Sequence, residues 1–123
     1  HIQQNTNPLV RVMIETRLAP DGRWCLDTAL FSPTSSHVLI DRTKLHPPNR
    51  WAWVALRYDG KTMSNFVNGV LESQGEMEFP PMNAGQTTLG VRHNLVSWYK
   101  GAIREVRIHQ TSIPQEQLNR RIN

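Results

Sequence analysis

Two turn dipeptides, Asp59-Gly60 and Asn68-Gly69, constrain this chain more than any other feature. Each stands between short segments of alternating apolar and polar residues: 51–58 before the first, 65–67 before the second, and Val70-Leu71 after it. Asp-Gly and Asn-Gly in that setting are strong hairpin signals, because both accept the positive φ that tight hairpin turns demand. Farther on, 88–92 and 99–109 read as two more strands. The second half of the chain is therefore expected to be a continuous run of β-hairpins.

The first half continues the theme. Val10, Val12, Ile14 and Leu18 share one face of a period-2 segment, with Arg11, Glu15 and Arg17 on the other, which predicts a strand with one wet face. Pro20 and Gly22 suit a type I turn over 19–22. A second strand is expected over 24–31, a loop over 32–36 and a short third strand over 37–40. Pro47 and Pro48 keep 45–50 out of any central strand, since neither can donate to a ladder. In 51–58, Ala52, Val54, Leu56 and Tyr58 face one way and Trp51, Trp53, Ala55 and Arg57 the other. Both faces begin apolar, so this strand is expected to lie centrally with one side partly covered by a loop. Residues 73–86 read mostly as loop. Ile103 and Val106 are three apart, and a β-bulge near Arg104-Glu105 would return Ile103, Val106 and Ile108 to one core. Only the tail looks helical, with Pro114 at a first helical position and Ile113, Leu118 and Ile122 as a short apolar stripe. Strands spaced by roughly eight to twelve residues, with turns between them, predict an antiparallel sandwich or barrel.

At 123 residues the chain is expected to form a single domain over 1–123. Its 38% hydrophobic content and four Trp place it among globular chains. No apolar run approaches the roughly 20 residues of a membrane-spanning helix, so membrane insertion is not expected. The N-terminus has neither an initiating Met nor a signal-peptide pattern, which suggests a piece excised from a longer protein or a mature form. The net charge of +4 is carried mainly by Arg. These arginines are scattered and often alternate with apolar residues, as on the solvent face of a half-buried sheet, so nucleic acid is not an expected partner. Cys25 is alone, which rules out an intrachain disulfide, and between Trp24 and Leu26 it reads as a small buried hydrophobe.

The segments "WAWVALRYDGKTMSNFVNGVLE", "TTLGVRH" and "YKGAIREVRIHQTSIPQEQL" together resemble the concanavalin A-like, laminin-G-like jelly-roll family. The shared pattern is a Trp-led strand, Tyr-Asp-Gly, an aromatic-Val-Asn-Gly hairpin, Leu-Gly and a late Gly-x-Ile-x-Glu-Val-Arg-Ile, covering about residues 51–118. Arg104 stands where the family often has Asp, and Pro114 where it usually has Ser, removing a capping hydroxyl. Before Trp51 the resemblance is slight, and an edge strand is expected to be missing, supplied by the rest of the protein or by a second copy. The resemblance implies an all-β, two-sheet antiparallel β-sandwich in an extracellular, cell-surface or periplasmic protein. It implies a module that binds carbohydrate or protein, sometimes with calcium, while some branches of the superfamily are glycoside hydrolases or lyases.

The residues themselves show no catalytic centre. Glycoside hydrolysis needs a carboxyl pair, and Glu72, Glu76 and Glu78 lack the Asp that the jelly-roll glucanases carry between their acids. The five histidines have no metal-binding spacing. Asp27 and Asp41 could join loop carbonyls around calcium. Nucleophile elbows and phosphate loops are absent from the sequence. The best binding candidate is the connection 92–99, where Arg92, His93 and Asn94 offer hydrogen bonds and Trp98 an aromatic face for a sugar ring. Tyr99, Trp51 and Trp53 are expected to pack rather than bind. The chain is thus read as a non-catalytic recognition module. A structural domain docking to a neighbouring domain or a second copy through an open sheet edge is the alternative, and a small glycan-cleaving enzyme the third.

Overall fold

The structure is a computed structural model, and residues 1–118 are described. Eight strands form two antiparallel sheets. They are β1 (Ile2–Gln4), β2 (Arg11–Leu18), β3 (Trp24–Phe31), β4 (Ser36–Ile40), β5 (Val54–Tyr58), β6 (Thr62–Val67), β7 (Val70–Glu76) and β8 (Gly85–Thr87). The larger sheet runs β4-β3-β2-β1-β8 and the smaller β5-β6-β7. The expected all-β sandwich is what forms.

Local turn chemistry accounts for the small sheet. Asn68 and Gly69 both take positive φ, 50° and 78°, as a mirror-image hairpin turn requires. The other turn works differently: only Gly60 has positive φ, and the Asp59 carboxylate accepts the amides of Lys61 (3.0 Å) and Thr62 (2.7 Å). Those bonds hold the Asp59 carboxyl below its ordinary range. In the large sheet, Gly22 N–H donates to Ala19 O across the expected turn at 3.0 Å.

The core lies where β3 and β4 face β6 and β7. Leu30, Leu39, Met63 and Met77 are buried together, with Val12, Leu56, Tyr58 and Phe79 packed around them. Burying side chains of this size stabilises the fold by about 1.5–3 kcal/mol each. A polar contact crosses this apolar layer: Thr28 Oγ1 donates to Asn65 Oδ1, and Asn65 Nδ2 donates to Leu39 O at 3.1 Å. Between Asn65 and Phe66 the β6–β7 register shifts, leaving Glu72 as the extra residue of a bulge. That kink carries its carboxylate to His46 Nε2, 2.7 Å away.

Several expectations are corrected. Strand β5 begins at Val54 and lies at an edge; β6 is the central strand. A loop does cover its outer side, since Arg57 donates to Ile113 O (3.4 Å), Gln115 to Gly69 O (2.8 Å), and the Arg107 guanidinium lies 4.6 Å from the Trp53 ring centre. Residues 73–86, read as loop, contain the end of β7 and all of β8. Neither 88–92 nor 99–109 forms a strand, and the bulge expected at Arg104-Glu105 occurs instead opposite Asn65. Ile103, Val106 and Ile108 are exposed rather than in the core. On β2 the wet and dry faces partly exchange: Met13, on the charged face, is buried, whereas Ile14 and Leu18 are exposed. The charged face is covered by a later loop, whose Arg92 binds Glu15. The tail forms a 3-10 turn, Gln115–Gln117, preceded by Pro114. Ile122 of the expected stripe lies outside the described residues.

Candidate functional site

The outer face of the large sheet carries Gln3 on β1, Arg11, Met13, Glu15 and Arg17 on β2, and Phe31 and Asp27 on β3. Cross-strand register aligns Gln3 with Arg11, Arg11 with Phe31, and Glu15 with Asp27. The connection 90–99 folds over this face. Its ends are closed by Tyr99 N–H donating to Gly90 O at 2.8 Å, and its tip by Leu95 N–H donating to Arg92 O at 2.9 Å.

Arg92 fixes the loop to the sheet. Its Nε and one terminal nitrogen form a two-point fork on the Glu15 carboxylate, the second bond measuring 2.6 Å. The Arg92 hydrogen bond holds the Glu15 carboxyl below its ordinary range, and the same bond raises the Arg92 guanidinium. A neighbouring pair, Arg17 Nε to Asp27 at 2.6 Å, continues the charge row. His93 is also engaged: its Nε2 meets Gln86 O at 3.0 Å, its backbone N–H donates to His1 Nδ1 at 3.3 Å, and the two rings meet edge to face. Asn94 Oδ1 accepts the Val96 amide at 3.2 Å, shaping the tip. Trp98 is bound to nothing comparable and is 67% exposed.

Two of the four expected residues, Arg92 and Asn94, come together around a cavity of about 290 Å³. Its other walls are His1, Gln3, Arg11, Met13 and Phe31. Arg11 stacks on Phe31, its guanidinium carbon 4.4 Å from the ring centre. His93 contacts His1 without lining the cavity, and Trp98, on the same loop, does not line it either. Sequence reading missed Arg11, His1, Gln3 and Phe31, which lie about 60 to 90 residues from the loop and look like ordinary strand residues. The loop also stores backbone strain, because Leu95 and Ser97 take left-handed φ of 60° and 63°. Such conformations cost about 1–3 kcal/mol each and persist where surrounding structure holds them, often at ligand sites.

Of the remaining candidates, Glu78 is exposed, and the others have structural partners. Glu72 binds His46, and Glu76 pairs with Lys61 at 3.3 Å on the surface. Asp27 is tied to Arg17, and Asp41 accepts both the amide and the hydroxyl of Thr43. Calcium takes six to eight oxygen ligands, roughly, at one centre. No group of three or more His, Cys, Asp or Glu that could hold a metal occurs among the described residues. Cys25 is buried, and burial pushes its thiol up. Tyr99 and Trp51, expected to pack, are instead 48% and 67% exposed. Trp53 packs beneath Arg107. No helix among the described residues is long and apolar enough to cross a membrane.

Comparison with known proteins accords with this architecture. A search of curated proteins finds no match. Among solved structures, residues 221–444 of an S-layer domain-containing protein from Clostridium thermocellum superpose with a TM-score of 0.56 at 12% identity. The match covers 89% of this chain and 62% of that one, and at such low identity it speaks to fold alone. A family model, Laminin_G_3, matches residues 2–119. The chain belongs to this family of the concanavalin A-like lectin/glucanase superfamily.

Proposed function

We propose that this domain is a non-catalytic module that binds a polysaccharide or glycoconjugate at the cavity beneath the loop 90–99. The observation that carries this reading is the convergence of Arg11, Arg92, Asn94 and Gln3 on one concave site, under a loop that also carries an exposed Trp98. Planar and amide donors fix the direction of hydroxyl groups, while an aromatic face stacks on the apolar side of a sugar ring. Glu72, Glu76 and Glu78 lack the intervening Asp that the jelly-roll glucanases carry, which supports binding without hydrolysis. A cell-surface or extracellular setting is part of the proposal, and the S-layer title of the structural relative agrees with it. Glycan-array binding of the purified domain, in calcium and in EDTA, tests the reading. Saturable binding in both buffers that weakens at least several-fold in Trp98→Ala is expected. Silence across the array would remove it.

A second reading, assembly with another copy, is favoured by one specific feature. β1 pairs with β2 only at Val12 and Arg11, so from Met13 to Leu18 that edge of β2 faces no strand among the described residues. Open edges of this kind template pairing with another chain. Sedimentation over a wide concentration range would reveal a dimer, and Ile14→Lys should abolish it.

A further inference from the structure

Beyond its short pairing with β1, strand β2 has an edge whose backbone groups point in a known direction. Gln4 N–H donates to Val10 O on the β1 side, and Ala19 N–H donates to Arg23 O on the β3 side. Backbone groups of an antiparallel strand alternate in direction, so the N–H and C=O of Ile14, Thr16 and Leu18 point away from β3. No strand among the described residues receives them. The edge is open: Ile14 is 44% and Leu18 75% exposed, and Thr16 and Arg17 are exposed as well. Ile14 and Leu18 share the face of Val12, which packs on the core, yet they remain in solvent.

The sequence of this edge is complementary to itself. Laid antiparallel against a second copy, about a two-fold axis at Thr16, Ile14 meets the partner's Leu18, Glu15 the partner's Arg17, and Thr16 the partner's Thr16. Ile14, Thr16 and Leu18 then exchange their outward N–H···O bonds across the join. The intervening Glu15 and Arg17 pairs set opposite charges against each other at the closer, non-hydrogen-bonded positions. Moving the axis by one residue would oppose Glu15 to Glu15 or Arg17 to Arg17, which is destabilising. A patch that pairs with itself about a two-fold axis is the commonest basis of a closed oligomer. Resting on the reading of the domain as one that assembles with another copy, we propose that two protomers join along β2 in this register, their larger sheets fusing into one. Cross-strand partners share a face, so the two cavities lined by Arg11 and Met13 open on the same side of the joined sheet.

Sedimentation and cysteine cross-linking together test the register. The wild-type chain should double in sedimenting mass as concentration rises. Residues that meet at the axis stand about 5.5 Å apart between Cα atoms, within disulfide reach, so Thr16→Cys should oxidise to a covalent dimer. Ile14→Cys or Leu18→Cys alone should not, since each lies about 14 Å from its own copy, whereas an equimolar mixture of the two should cross-link. The wild-type chain, whose single Cys25 is buried, should give no covalent dimer. Thr16→Pro removes the N–H at the axis without touching the β3 ladder and should stay monomeric. The cysteine series stands even if Thr16→Pro fails to fold. A dimer that Thr16→Cys does not cross-link, or that persists undiminished in Thr16→Pro, overturns this register and leaves assembly in place. A wild-type chain that is monomeric at every concentration overturns the register and the assembly reading together.

Discussion

Residues 54–76 and 99–109 look alike as sequence and differ as structure. Both alternate apolar with polar residues and both are rich in β-formers, yet the first is the small sheet and the second contains no strand. In 54–76, Gly60 and the Asn68-Gly69 turn fold each strand onto the next, so the partner is always a few residues away. Residues 99–109 have no such turn linking them to a neighbour and must find an edge elsewhere. What they do instead is cover: with 113–115 they shield the outer side of the small sheet, through contacts to Trp53, Arg57 and Gly69. Strand propensity is realised only where a partner is supplied.

Truncating one apolar side chain in each region gives the largest contrast. Phe66→Ala, at a side chain 1% exposed, should cost about 3–5 kcal/mol by urea denaturation. Ile108→Ala, at 66% exposed, should stay within about 0.5 kcal/mol. A loss above roughly 2 kcal/mol at Ile108 would show that 99–109 packs as a strand after all. Next in size is Gly85→Ala. A Cβ there would collide with the Gln3 carbonyl, so β1 and β8 must part, at about 1–3 kcal/mol in the same assay. Gly69→Ala should cost about 1 kcal/mol, because its φ of 78° disfavours any side chain. If it costs nothing, turn chemistry is not what separates the two regions. Hydrogen exchange then sharpens the contrast without mutation: amides of Thr62–Val67 should be strongly protected and those of 101–109 nearly unprotected.

The smallest effect concerns acid. The Glu15 carboxyl is depressed chiefly by its Arg92 hydrogen bond, so the pair's contribution is complete above the ordinary Glu value near ~4.3. It is lost as pH falls through the lower folded-state value. Trp98 fluorescence should therefore report loosening of the loop only below about pH 4. A transition near neutrality would mean that another group holds the loop.

Where the determinants were local, the sequence was legible. The Asn-Gly hairpin, the 19–22 turn and the segment 24–31 needed nothing beyond neighbouring residues. Expectations failed where the outcome depended on what lies opposite. Met13 is buried because a loop some 80 residues later closes over the charged face of β2, and no periodicity in 10–18 encodes that cover. The candidate site behaved likewise. Arg92 and Asn94 were visible as polar groups on an aromatic-bearing connection, but Arg11 alternates with apolar neighbours just as a solvated charge does. Only the register Gln3–Arg11–Phe31 brings it under the loop.

The bond between Thr28 and Asn65 acts as an alignment pin between the two sheets. Apolar surfaces tolerate sliding, since one aliphatic contact replaces another at little cost. A displaced pin instead leaves buried polar groups unpaired, at about 1–3 kcal/mol apiece. Docking of one sheet on the other is thereby digital rather than graded. Replacing both partners, Thr28→Val with Asn65→Leu, should change stability little while broadening or multiplying the NMR signals of residues in the interlayer. A single sharp spectrum from that pair would mean that shape alone keeps the layers in step.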